Sequence, residues 1–223
     1  MIKTSTNELL AMASSAYDGV IFDMDGTLVD SMGMWYQIDV DFLGKRGLEI
    51  DEEYNREIKT KTLTECADYT IAKYHLDEKP EDIIQEWIDM AVEQYRHHIP
   101  MKEGAADFLR AMKERKVPFA LATVSDMMMA TAVLGRHEVL DLFDHLVDSS
   151  MVGRGKDAPD LYFEAAGRLG VNPARCLVFE DALQGLSTAK KAGFLTCLVH
   201  DDRAANEVSE MEPFADYYLE SFL

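Results

Sequence analysis

The feature that most constrains the fold is an alternation of short β-rich runs with segments of helical spacing. Five runs are rich in apolar and β-branched residues, as buried strands are: 18–23, 117–125, 145–148, 175–181 and 195–200. Helices are predicted between the later runs, at 104–115, 126–136, 159–169 and 182–193. Strands that alternate with helices of this length are joined by right-handed crossovers. The pattern therefore predicts an α/β fold with a doubly wound, Rossmann-like parallel sheet.

Residues 31–99 interrupt this alternation. Apolar residues recur there at the spacing of amphipathic helices, as at Ile84 and Ile88, and no convincing strand pattern is present. The sequence therefore predicts a small all-helical cap domain at 31–99. This cap is inserted into an α/β core domain formed by residues 1–30 and 100–223.

The charge balance limits the possible partners. The 223 residues carry a formal net charge of −19, which repels nucleic acid and anionic membranes, so neither is expected as a partner. No stretch has the length of a membrane span, and the N-terminal residues lack the apolar run of a signal peptide. The three cysteines show no metal-ligand spacing, and their odd number without clustering favours a reducing compartment. We expect a cytoplasmic protein, a monomer or weak dimer, with a small phosphorylated substrate held by local positive charge.

Polar side chains follow several of the predicted strands. Asp23 ends the first strand, Thr123 lies near the end of the second, and Glu180 and Asp181 end the fourth. Lys156 lies in a loop just ahead of a predicted helix. Ligands of open α/β sheets bind beyond the carboxyl ends of the strands, so these groups are expected at one edge of the sheet.

Four stretches in this order carry a resemblance to a known family: "FDMDGTLVDS", "LATVS", "GKDAPD" and "VFEDALQG". They resemble the four signature motifs of the haloacid dehalogenase superfamily, and the helical insert is similar to its α-helical cap. The branch with the greatest similarity contains β-phosphoglucomutase and sugar-phosphate phosphatases. The resemblance covers about residues 18–200 and implies phosphoryl transfer, with a cap that opens and closes over the cleft.

The resemblance implies a role for each catalytic side chain. Asp23 is the nucleophile that attacks phosphorus and forms an aspartyl-phosphate. Asp25 protonates the leaving alkoxide and later deprotonates the attacking water. Thr123 donates its hydroxyl to the phosphoryl group, and Lys156 neutralises charge on the phosphoryl oxygens.

A divalent cation is also expected. Two carboxylates as close as Asp23 and Asp25 repel each other unless a cation lies between them. Mg²⁺ suits the oxygen ligands that Asp23 and Asp181 offer. The family pattern adds the backbone carbonyl of Asp25, and Glu180 is either a ligand or an acceptor beside the ligands.

The substrate-binding residues are predicted to be Met24, Gly26, Val124 and Trp35. Glycine at position 26 permits a sharp turn beside a ligand, where backbone N–H groups hold phosphoryl oxygens. Trp35 forms an aromatic wall that faces a sugar, a nucleoside or only the protein core. Lys59 and Lys61 either reach the distal groups of a substrate or lie at a solvated helix end.

Structural explanations stay open for single residues. Asp23 and Asp25 are also typical of a turn that has no catalytic role. Glu180 and Asp181 are also typical of residues that only cap the following helix. Lys156 alone also fits a solvated surface lysine.

Three alternatives to a phosphatase can be compared with the sequence. A β-phosphoglucomutase-like cap carries a histidine at the position of Trp35 and an arginine in the loop "TKTLTEC", and both are missing. A dehalogenase lacks an acid at the position of Asp25. A non-catalytic binding protein is expected to lose the nucleophile, the acid or the lysine, all of which are present. Hydrolysis of a small phosphate ester, such as a sugar or polyol phosphate, is therefore favoured.

Overall fold

A computed structural model describes residues 1–13, 15–31, 33–58, 61, 63–202 and 204–223. The chain divides into two compact units. The first comprises Met1–Met32 and Ile99–Leu223, and the second comprises Gly33–His98. All strands lie in the first unit, whereas the described part of the second unit consists of helices and their connections.

A parallel sheet forms the centre of the first unit. Its strands are β1 (Ile2–Thr4), β2 (Gly19–Phe22), β3 (Phe119–Thr123), β4 (His145–Asp148), β5 (Cys176–Glu180), β6 (Leu195–Val199) and β7 (Tyr217–Leu219). They lie in the order β1-β7-β6-β5-β2-β3-β4, and each pair of neighbours is parallel. The predicted doubly wound α/β fold is confirmed.

The helices are α1 (Thr6–Met12), α2 (Met34–Lys45), α3 (Glu52–Ile58), α4 (Leu63–Tyr74), α5 (Pro80–His97), α6 (Ala105–Glu114), α7 (Met127–Arg136), α8 (Ser149–Val152), α9 (Asp160–Leu169), α10 (Leu183–Lys191) and α11 (Val208–Met211). Short 3₁₀ turns lie at Leu140–Leu142, Pro173–Arg175, Ala205–Glu207 and Glu212–Phe214. Within the described chain, every helix is too short or too polar to cross a membrane.

Helices cover both faces of the sheet because successive strand residues point to opposite sides. On one face, Ile21 and Val178 are buried in a core cluster with residues of α9 such as Leu161. On the other face, the ring of Phe22 packs edge-on against Phe108 of α6, with the ring centroids 6.2 Å apart. Strands buried on both faces explain why the sequence shows continuous apolar runs rather than alternation.

The direction in which successive strands are added to the sheet reverses at β2. The chain passes from β2 to β3 and β4 on one side, then returns to β5 on the other side of β2. Phe22 is in register with Phe179 of β5 and with Leu121 of β3. The residues that follow these three strands are therefore neighbours at one edge, the usual position of a ligand site.

Two strands were not predicted from the sequence. β1 and β7 have three residues each, too few to show a period, and they pair with each other through Lys3 and Tyr218. The five predicted strands are present, with ends that differ by up to two residues from the predicted ones.

The second unit contains α2 to α5. The ring of Phe42 on α2 packs against Trp87 on α5, with centroids 5.3 Å apart. The Arg46 guanidinium donates to Glu78 at 2.6 Å and to Glu86 at 2.8 Å, which links α2 to α5 and the segment before it. Near the centre of this unit, the Tyr54 hydroxyl donates to Asp39 Oδ1 at 3.2 Å.

Candidate active site

Asp23 lies at the carboxyl end of the central strand β2. Its backbone N–H donates to Phe179 O of β5 at 3.0 Å, so sheet pairing holds the residue in place. The side chain is buried, and its carboxylate forms an ion pair with the ammonium of Lys156. A buried carboxylate with a cationic partner therefore lies at the edge of the sheet where ligands usually bind.

The chain turns sharply after Asp23, through Gly26. Gly26 has a φ of +78°, and its N–H donates to Val29 O at 2.9 Å. A Cβ atom at this position would overlap with Asp181 Oδ2. Glycine is therefore required at position 26 for two reasons, the backbone conformation and the close approach of the Asp181 carboxylate.

Asp25 is held by hydroxyl groups. Ser31 Oγ donates to its Oδ1 and Ser125 Oγ donates to its Oδ2, both at 2.6 Å. Ser125 N also donates to Thr123 Oγ1 at 3.0 Å, and Thr123 is fully buried at the end of β3. Two charge-assisted hydrogen bonds thus orient the Asp25 carboxylate and tie it to the second predicted motif.

Lys156 bridges two acidic residues in the interior. Its Nζ contacts Asp23 Oδ1 and lies 2.5 Å from Glu180 Oε1. Burial lowers the pKa of the Lys156 ammonium, but the charges of Asp23 and Glu180 outweigh burial, so the pKa is raised. Lysine 156 is therefore protonated. Removing one partner of such a buried pair typically costs about 3–5 kcal/mol.

Glu180 and Asp181 follow β5. Glu180 Oε1 accepts a hydrogen bond from Tyr162 OH at 2.7 Å, whereas its buried Oε2 has no hydrogen-bond partner among the described residues. Gly185 makes room for this carboxylate, since a Cβ there would lie 2.5 Å from Glu180 Cδ. The N-cap of α10 is Ala182, which makes no side-chain cap bond, so neither acid caps that helix.

Asp23, Glu180 and Asp181 form a compact acidic cluster. Each of them offers a carboxylate oxygen within 4.8 Å of the other two. Thr27 Oγ1 lies 3.2 Å from Asp23 Oδ2 and 3.0 Å from Asp181 Oδ1, and its single proton serves one of them at a time. Burial, followed by the charges of the neighbouring acids, raises the pKa of both Asp23 and Asp181, because negative charge is costly to hold in this cluster.

This cluster fits a cation. Lys156 pairs with Asp23 and Glu180, and no ion pair of the described residues involves Asp181, so the charge of the three acids is not balanced within the cluster. Oxygen ligands of this kind suit hard divalent cations, and the unpartnered Glu180 Oε2 adds a further acceptor.

A cavity of about 350 Å³ opens onto these residues. Its lining includes Asp23, Asp25, Val124, Lys156, Glu180 and Asp181. Val124 is half-exposed, but the Met24 side chain is fully buried, and the Met24 N–H bonds to the Asp23 carboxylate. Val124 therefore lines this cavity, whereas Met24 and Thr123 are buried and are not part of its lining.

The cap residues singled out from the sequence belong to the second unit. Trp35 lies in the first turn of α2 and is 44% exposed. Lys61 Nζ pairs with Glu57 Oε2 at 3.1 Å. Lys59 lies outside the described residues.

Several residues of the site were missed from the sequence. The hydroxyl groups of Thr27, Ser31 and Ser125 lie within six residues of a predicted site residue, which is a usable signal. Tyr162 offers no such signal, because an aromatic residue in an amphipathic helix is typical of a core position.

Comparisons with known proteins identify the family of the chain. The model of the haloacid dehalogenase-like hydrolase family matches residues 17–193. A probable pseudouridine-5'-phosphatase of Drosophila melanogaster is 31% identical over 91% of this chain and 92% of its own length. Hexitol phosphatase B of Escherichia coli (strain K12) is 26% identical over 84% of this chain and 85% of its own length.

A solved structure shares the fold. The crystal structure of a putative beta-phosphoglucomutase from Thermotoga maritima superposes with a TM-score of 0.80. It is 25% identical in sequence, and the match covers 90% of this chain and 93% of that one. With a family model that spans most of the chain and relatives that are named as phosphatases, the chain belongs to the haloacid dehalogenase-like hydrolases and is a phosphatase-type enzyme.

Proposed function

We propose that this protein is a Mg²⁺-dependent phosphatase that hydrolyses a small sugar or polyol phosphate through an aspartyl-phosphate on Asp23. One observation carries the proposal. The buried Asp23 carboxylate is paired with Lys156 and shares a cluster with Glu180 and Asp181, at a cavity that opens at the sheet edge. This arrangement combines a nucleophile, a fixed cation and candidate metal ligands.

The metal would be held by Asp23 and Asp181, with Glu180 as a further acceptor. The family pattern adds the backbone carbonyl of Asp25. When bound, Mg²⁺ supplies positive charge that offsets the phosphate and the surrounding acids. Local positive charge is needed because the net charge of −19 repels a phosphorylated substrate at long range.

In the first half-reaction an Asp23 oxygen forms a bond to phosphorus, and the bond from phosphorus to the ester oxygen breaks. Asp25 gives its proton to the leaving oxygen. The Ser31 and Ser125 hydroxyls hold both oxygens of that carboxyl group in place, and they stabilise the carboxylate that forms when the proton leaves.

In the second half-reaction a water attacks phosphorus, Asp25 takes the water's proton, and the bond between phosphorus and Asp23 breaks. The products are inorganic phosphate and the restored carboxylate. Lys156 offsets charge on the phosphoryl oxygens in both steps, and Thr123 is the proposed hydroxyl donor.

The names of the relatives support a small substrate. One relative is named for pseudouridine 5'-phosphate and another for hexitol phosphates, both of which are small phosphate monoesters with several hydroxyl groups. We propose that the enzyme acts on such a molecule in the cytoplasm, as a monomer or weak dimer, without nucleic acid or membrane.

A panel of sugar phosphates, polyol phosphates and nucleotides with added Mg²⁺ tests the proposal through released phosphate. We expect rapid release from at least one sugar or polyol phosphate and its loss in EDTA. Undiminished activity in EDTA would remove the metal from the proposal. Conversion of a sugar phosphate to its isomer without net phosphate release would favour the phosphomutase alternative, and failure with the whole panel would favour a binding protein.

The substitution Asp23→Asn tests the nucleophile. We expect kcat to fall at least about 10³-fold, because an amide cannot form the acyl phosphate. Asp18→Asn is the matched control, since Asp18 precedes the same strand at its other end and pairs with Arg175. Similar activities of the two variants would contradict the assignment.

A further inference from the structure

One acid that lines the cavity of the acidic cluster has no part in the proposed chemistry. Asp157 follows Lys156 directly in the chain, and both residues line this cavity of about 350 Å³. Lys156 is buried against the cluster, whereas Asp157 is exposed. A Cβ on Gly155, which also lines the cavity, would lie 3.4 Å from Asp157 Oδ1. The Asp157 carboxylate therefore lies beside a glycine at the surface of the cavity.

The Asp157 side chain has no structural partner in the part of the chain that the structure describes. No ion pair and no side-chain hydrogen bond of the described residues involves it. It is not the cap of the following helix either, because the N-cap of α9 is Pro159 and no side chain caps that helix. An acid that neither caps a helix nor joins an ion pair is available to a ligand of the cavity.

The other acids of this cavity have counter-charges or protons. Lys156 and the proposed Mg²⁺ offset the acidic cluster. Asp25 carries a proton when the substrate binds, as its role in the first half-reaction requires. The further polar side chain among the described residues of the lining is that of Gln184, which is uncharged. Asp157 is therefore the acid whose charge the described lining leaves unbalanced.

An unbalanced carboxylate changes which substrates a phosphate site accepts. A phosphate dianion and the Asp157 carboxylate in one cavity repel each other, and the protein around them screens this repulsion less than bulk water does. An ammonium group on the same substrate is instead attracted to Asp157. Discrimination between two substrates then comes from both effects, the attraction of one and the repulsion of the other.

We propose that Asp157 is a specificity-determining residue and that the substrate is a phosphate monoester with an ammonium group, such as an amino sugar phosphate, whose cation pairs with the Asp157 carboxylate. This inference rests on the proposed phosphatase function and names the class of its substrate. A neutral sugar phosphate of the same shape binds less well, because it meets the repulsion of Asp157 without the compensating ion pair.

Two pairs of substrates that differ only in an ammonium group test the inference. They are glucosamine 6-phosphate with glucose 6-phosphate, and glucosamine 1-phosphate with glucose 1-phosphate. Phosphate release is measured with Mg²⁺ at neutral pH, and N-acetylglucosamine 6-phosphate is the control that keeps the nitrogen but loses its charge. We expect kcat/KM to favour the amino sugar about fivefold in at least one pair, as an ion pair at an exposed carboxylate allows. The N-acetyl compound should show no such advantage over glucose 6-phosphate.

Two variants with the same change of net charge locate the preference. Asp157→Asn should lower kcat/KM for the amino sugar phosphate and raise it for the neutral one, so that the preference disappears. Asp141→Asn removes an exposed acid of the 3₁₀ turn Leu140–Leu142, outside this cavity, and should keep the preference. Circular dichroism checks that each variant is folded.

Calorimetry of the same pairs with Mg²⁺ measures the preference in binding, without turnover. The inference is overturned if neither pair shows a preference in kcat/KM or in affinity, or if the preference survives in folded Asp157→Asn. Phosphate release without a preference for the amino sugar would therefore contradict this inference alone. Tighter binding of the amino sugar phosphate that is lost in Asp157→Asn, without any phosphate release, would support the ion pair and contradict the phosphatase.

Discussion

The Tyr162 hydroxyl donates a 2.7 Å hydrogen bond to Glu180 Oε1. Lys156 Nζ lies 2.5 Å from the same oxygen and also contacts Asp23. Tyrosine 162 lies on α9 and does not line the cavity of the acidic cluster. We therefore predict that it is a positioning residue, which acts through Glu180 and Lys156 on the carboxylate of the proposed nucleophile.

Tyr162→Phe tests this relationship. We expect the free energy of unfolding to fall by about 1–3 kcal/mol, because a buried carboxylate loses a donor. We also expect kcat to fall while KM changes little, since the lysine is less firmly held. Tyr17→Phe is the control, because its buried hydroxyl donates to Leu9 O at 2.5 Å, away from the site. That variant should lose stability but keep kcat, and an equal kcat for both would refute the positioning role.

Gly26→Ala tests the close approach of the turn to Asp181. A Cβ at position 26 would overlap with a carboxylate oxygen and also strain a φ of +78°. Gly170→Ala shares the strain, with a φ of +69°, but its Cβ meets nothing within 4 Å. We expect both variants to lose about 1 kcal/mol of stability from the backbone, whereas only Gly26→Ala loses most of its phosphatase activity.

Asp181→Asn tests cation binding without any reaction. Mg²⁺ that binds only the folded chain raises the free energy of unfolding by about 2.7 kcal/mol at a hundredfold excess over its Kd. We expect this rise in wild type and its loss in Asp181→Asn, measured by thermal unfolding with and without Mg²⁺. Asp157→Asn changes an acid of the same cavity outside the cluster and should keep the response. A wild-type protein whose unfolding ignores Mg²⁺ would contradict the metal assignment.

The raised pKa of Asp39 predicts that the stability of the protein depends on pH. Burial raises its pKa from 3.8 to about 6 in the folded chain, so the folded state binds this proton more tightly than the unfolded state. The free energy of unfolding therefore decreases as the pH rises from about 4 to about 6. In Asp39→Asn this decrease should be absent. Between pH 4 and pH 7, the free energy of unfolding should therefore fall by on the order of 2 kcal/mol more in wild type than in the variant. Asp41→Asn should follow wild type in urea titrations at both pH values.

Much of the fold was predictable because its signals are local. The run at 175–181 predicted β5, and the run at 145–148 matches β4 at both ends. β1 and β7 were missed because three residues are too few to show a pattern, and β1 is an edge strand with one partner. Their pairing joins the two ends of the chain, and no local signal reports it.

The residues of the site also divide into those that a local signal predicted and those that it did not. Asp23, Glu180 and Asp181 were predicted together, because carboxyl ends of parallel strands share one edge. The hydroxyl groups that hold the acids were not predicted. Ser125 reaches Asp25 across 100 residues of sequence, and Thr27 reaches Asp181 across 154.

The sequence by itself determined the order of five strands and of the helices between them. It also determined which acids and which lysine belong to the site, since residue spacing and motif chemistry are properties of neighbouring residues. Only the tertiary structure decided that Tyr162 supports Glu180, that Gly26 must admit Asp181, and that Asp39 lies buried without a cationic partner among the described residues. These relationships depend on strand order and on burial, which arise when segments far apart in the chain pack against each other.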